Sequence, residues 1–62
     1  MTTQPIFQEN SLKGRIWRAL ENHECQYADE NVILHLFKEE EHALIFEEYP
    51  KYIAWCLEEG RI

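Results

Sequence analysis

The sequence predicts a small α+β domain, ordered α-β-β-α, in which two helices pack on the apolar face of a β-hairpin. Three observations carry that expectation. Leu12, Ile16, Ala19 and Leu20 recur at helical spacing behind two N-cap candidates, Asn10 and Ser11. Tyr49, Tyr52, Ile53, Cys56 and Leu57 follow the i, i+3, i+4, i+7, i+8 rule, with Pro50 at the start and Gly60 just past the end. Between them, residues 31–48 (NVILHLFKEEEHALIFEE) hold two apolar runs on either side of a charged tip.

That middle stretch admits two readings. As one helix, a stripe through Ile33, Leu36 and Phe37 must pass Glu40 or Glu41 before it reaches Ala43 and Leu44, which puts a carboxylate on the buried face. As a hairpin with Glu39, Glu40 and Glu41 in the turn, Lys38 opposes His42, Leu36 opposes Leu44, and Leu34 opposes Phe46. Val32, Leu34, Leu36, Leu44 and Phe46 then share one apolar face, because side chains alternate along a strand. The hairpin is the preferred reading. An all-α three-helix bundle is the alternative, since the triple glutamate offers no Gly, Asn or Asp for a tight turn and Glu, Ala and Leu favour helix.

In chain order, residues 1–8 read as a polar tail whose Ile6 and Phe7 can cover one end of the core, and residues 9–62 as a single domain. The first helix spans residues 10–22, and Gly14 weakens its first turn by about 1 kcal/mol relative to alanine. Trp17 falls at the edge of its stripe, either a core-rim residue or an interface anchor. Residues 23–30 form a connector, with Cys25, Gln26 and Tyr27 as an optional short edge strand. Pro50 suits the first position of the final helix, and Gly60 suits its C′ position. Cys56 reads as a small buried hydrophobe. Trp55 falls off the stripe, in contact with the first helix or exposed beside Glu58 and Glu59. Those two glutamates oppose the helix dipole, by a few tenths of a kcal/mol each.

The net charge of −6 is unevenly spread. Residues 1–23 carry three bases against two acids, and the rest carries three bases against ten acids. Such a field repels nucleic acid and anionic membrane and favours solubility or a basic partner. A domain of this size buries only about 60% of its unfolded surface, so its core needs help from a copy or a partner. No apolar run approaches the ~20 residues needed to span a bilayer. Cys25 and Cys56 follow no export signal, so a reduced, cytoplasmic thiol pair is expected.

No Gly-rich phosphate loop, H-E-x-x-H or G-x-S-x-G motif is present, and no enzymatic activity is expected. His23, Cys25, His35, His42 and Cys56 match no tight zinc spacing, so neither metal nor cofactor is expected. Lys13, Arg15, Trp17 and Arg18 make a poor phosphate footprint in an acidic domain, which speaks against direct nucleic-acid binding. The expected function is that of a small acidic regulatory or inhibitory protein that binds another protein with a basic surface. Its contact residues would be Trp17, Trp55, Glu39, Glu40, Glu41, Glu47, Glu48, Glu58 and Glu59, and its sharper form is a DNA mimic whose carboxylates fill a basic groove. The alternative is a self-assembling, homodimeric structural or adaptor subunit, with the second hairpin face paired to its copy.

Overall fold

A computed structural model describes Phe7, Gln8 and residues 10–62. Helix α1 (Leu12–Asn22) begins at Ser11, whose hydroxyl accepts from the Gly14 amide at 3.0 Å. Asn10, the other cap candidate, takes a left-handed φ of 65° just before it. The glycine inside the first turn has a physical reason. A Cβ at Gly14 would meet the Ser11 Oγ at 3.0 Å and the Phe7 Cβ at 3.2 Å, so the bare backbone lets Phe7 cross the helix start. Phe7 then stacks on Trp17 at 5.6 Å, as the tail reading expects. Ile6 lies outside the described residues.

The connector turns through a left-handed Glu24 into a short 3₁₀ turn, Cys25–Tyr27. Asp29 then caps a 3₁₀ helix, Glu30–Leu36, by accepting from the Asn31 amide at 2.9 Å. Phe37 and Lys38 are extended, and a second 3₁₀ turn, Glu39–Glu41, leads into helix α2 (His42–Glu58).

The α-β-β-α expectation is therefore wrong. The described residues contain no strand, and the all-α alternative with three helical segments fits. The reason is local. No residue of the triple glutamate takes a positive φ, and the Glu41 side chain reaches back to accept from the Lys38 amide at 2.9 Å, which starts a helix there. The break at Phe37 and Lys38 also removes the objection to a helix. It changes the chain's direction, so Glu39 and Glu40 stay exposed and no single stripe has to pass through them. The cross-strand pairs Leu34/Phe46 and Leu36/Leu44 do not exist, and Val32, Leu36 and Phe46 stand exposed instead of sharing a core face.

Pro50 lies inside α2 and not at its first position. An interior proline costs about 3 kcal/mol, while burying each large apolar side chain returns about 1.5–3 kcal/mol. Ile45 lies before Pro50 and Tyr52 after it, both fully buried, so a continuous helix wins. Pro50 cannot donate to the Phe46 carbonyl, and both residues are exposed, where water can serve that group. At the far end Gly60 takes φ 70°, Gly60 donates to the Leu57 carbonyl and Arg61 to the Cys56 carbonyl, which is a Schellman ending.

The core joins Ile16, Trp17 and Leu20 of α1 with Cys25, Ile33, and Ile45, Tyr52 and Cys56 of α2. Tyrosines of α2 pin the connector: Tyr52 donates to Gln26 at 2.9 Å, and the Tyr49 hydroxyl lies 3.3 Å from the Ala28 carbonyl. Burial, with Cys56 beside it, pushes the Tyr52 hydroxyl well above its ordinary value. No described helix is long and apolar enough to cross a membrane.

Candidate interaction surface

The buried line of α2 runs Ile45, Glu48, Tyr52 and Cys56, and one of its members is a carboxylate. Glu48 is 2% exposed and accepts from the Trp17 indole N–H at 3.1 Å through one oxygen and from Lys51 at 3.1 Å through the other. Burial pushes its carboxyl up, but those two hydrogen bonds and the charges of Lys51 and Lys13 hold it below its ordinary value. Glu48 thus stays ionised in the fold. A depressed folded value means that the stabilisation is present above the unfolded pKa of about 4.3 and is lost as pH falls through the folded one. Glu48→Gln should lower stability by about 1–2 kcal/mol at pH 7. The gap between the melting midpoints of wild type and variant should shrink below about pH 4.3, and a gap that does not change with pH would contradict this account.

The other expected contact residues scatter. Trp17 is 3% exposed and sits between Phe7, Tyr52 at 5.5 Å and Trp55 at 6.0 Å, so it belongs to the core. Trp55 is half-buried in the same aromatic group. Glu41 pairs with Arg15 at 3.5 Å as well as with the Lys38 amide. Glu39 and Glu40 are exposed at the start of α2, where the helix dipole favours them. Glu47 and Glu58 are exposed along α2, and Glu59 is half-buried. With Glu48 inside and Glu41 held by Arg15 and the Lys38 amide, the exposed Glu47 and Glu58 still fall within about 20° of one another on α2.

What does form a continuous face is the outer side of α2. At about 100° per residue, Phe46, Pro50, Ile53 and Leu57 fall within about 60° of one another and along about 16 Å of helix. Phe46 is 47% and Leu57 60% exposed, Pro50 is exposed and Ile53 half-buried. The exposed Ala43 and Ala54 widen the stripe on one side. The sequence expectation had this helix burying Leu57 with Tyr52 and Cys56. The buried line is turned by about 70° from that expectation, because Trp55 is drawn in against Trp17, Tyr52 and Arg61.

Arg61 closes the other end of the molecule. Its guanidinium pairs with Glu21 of α1 and lies 5.2 Å from the centre of the Trp55 ring, while its carbonyl accepts from the Tyr27 hydroxyl at 3.0 Å. Glu21 Oε2 and Trp55 Nε1 are buried there without a hydrogen-bond partner. Cys25 and Cys56 are buried free thiols, and burial pushes the Cys25 thiol up. Among the described residues no three His, Cys, Asp or Glu side chains gather as metal ligands. The His42 ring nitrogen Nε2 instead lies 2.9 Å from the Leu34 carbonyl and 3.2 Å from that of Phe37.

No family model, no curated protein and no solved structure matches this chain.

Proposed function

We propose that this protein is a small non-enzymatic subunit that assembles with its own copy through the outer face of α2, as a homodimeric structural or adaptor element. The observation that carries this reading is the apolar stripe Phe46, Pro50, Ile53 and Leu57, which stands outside a helix whose opposite side already fills the core. An apolar stripe on both sides of a helix calls for cover on both sides.

The stripe is also self-complementary. A two-fold axis between Pro50 and Ile53 sets Phe46 of one copy against Leu57 of the other, and Pro50 against Ile53, with the helices antiparallel. Ala43 and Ala54 allow the backbones to come close. One short helix face buries less than a standard interface, so the dimer should be weak, with a Kd on the order of 10 μM.

Binding to a basic partner, DNA mimicry included, draws less support, since Glu48 is buried and Glu41 is held within its own chain. The two readings part on the sign of the salt effect. Two copies carrying −6 each repel, and the antiparallel pairing brings Glu47 of one copy near Glu58 of the other, so added salt should tighten the dimer. A complex with a basic partner should loosen. Under the same reading the protein resides in the reducing cytoplasm, which suits two buried free thiols. Size-exclusion chromatography with light scattering over a range of loading concentrations tests the proposal: mass should rise from one chain toward two, and a constant single-chain mass at millimolar loading would refute it.

A further inference from the structure

We propose that Glu21 and Trp55 form a guanidinium-binding site, filled in this chain by Arg61, that takes an arginine side chain presented by another polypeptide. The two residues come from α1 and α2, and they supply what an arginine head group needs: a carboxylate and an aromatic face.

The resident arginine fills this site incompletely. Arg61 engages Glu21 through Oε1, while Oε2 stays buried without a partner. A carboxylate can accept both N–H groups of a guanidinium fork. The backbone explains why Arg61 leaves one oxygen unused. Its amide is tied to the Cys56 carbonyl and its carbonyl to Tyr27, and Gly60 before it is fixed in the left-handed turn that ends α2. The side chain therefore reaches Glu21 from a fixed point. An arginine from another chain carries no such tether and is free to align its fork with both oxygens. Lysine lacks both the fork and the flat face that stacks on an indole. Arg61 is 36% exposed at its side chain, so the occupant sits at the surface, where it can be displaced.

The test uses the Arg61→Ala variant, which empties the site, with N-acetyl-arginine methylamide and its lysine counterpart as probes. Binding is followed by the two indole N–H resonances in a nitrogen–proton correlation spectrum. The arginine probe should move the Trp55 resonance and leave that of Trp17, which is held by Glu48, in place. It should bind at least about tenfold more tightly than the lysine probe, which corresponds to one bidentate pair, and about tenfold more weakly to wild type, where Arg61 competes. Glu21→Gln added to Arg61→Ala should abolish the preference for arginine. Equal binding of the two probes, no shift of Trp55, or equal affinity for wild type and Arg61→Ala would each overturn the proposal. Should Arg61→Ala fail to fold, Arg61→Lys serves in its place, and the same comparisons decide.

Discussion

Trp17→Ala should leave the domain largely unfolded at 25 °C. Removing a buried tryptophan costs about 3–5 kcal/mol through lost burial and the cavity left behind. The loss here goes further. Glu48 would keep its buried carboxylate but lose the indole N–H that holds one of its oxygens, which adds about 1–3 kcal/mol. Phe7, Tyr52 and Trp55 would lose their common neighbour. A core of this size rarely supplies more than about 3–5 kcal/mol in total, so the sum exceeds what the fold has. Trp17→Phe should retain most of the packing and lose only the hydrogen bond, and it should melt cooperatively at a lower temperature. Far-UV circular dichroism against temperature separates the two, and a cooperative melt of Trp17→Ala near the wild-type midpoint would show that the core is held otherwise.

The second large effect concerns association and should leave the fold alone. Leu57→Asp, and independently Phe46→Asp, should abolish self-association at concentrations where wild type is dimeric. Each places a carboxylate opposite an apolar side chain of the other copy, and the cost of burying it exceeds the whole energy of a weak dimer. Both residues are about half exposed or more, so the helical signal and melting midpoint of the isolated chain should change little. Ala54→Trp should also weaken the dimer by keeping the helices apart. If Leu57→Asp unfolded the chain instead, the stripe would be core and not surface.

Much of the fold is legible in the residues. Ser11 caps α1, Ile16 and Leu20 are buried, Tyr52 and Cys56 line the core, and Gly60 ends α2 in a left-handed turn, as local spacing and backbone preference dictate. The middle of the chain departs from its sequence pattern for a physical reason. Two apolar runs on either side of a charged tip in 31–48 satisfy a strand pair, but a hairpin also needs a turn, and Glu39–Glu41 is better at starting a helix than at reversing a chain. The break at Phe37 and Lys38 carries no glycine or proline to announce it.

The candidate surface was less legible. Glu48 lies three residues after Ile45 and four before Tyr52, on the core line itself, but a glutamate at such a position reads as surface until the Trp17 indole opposite it is known. The rotation of α2 that exposes Leu57 depends on Trp55 turning toward Trp17, a contact between distant parts of the chain. Arg61 and Glu21 pair for the same reason, through the tertiary fold and not through local spacing.

The central claim is that the outer face of α2 pairs with itself, and sedimentation equilibrium of the wild-type protein at low and high sodium chloride tests it most directly. A monomer–dimer equilibrium that tightens severalfold as salt rises, and that Leu57→Asp removes, is the predicted result. A single-chain mass at every concentration, or a dimer that salt dissociates, would contradict it.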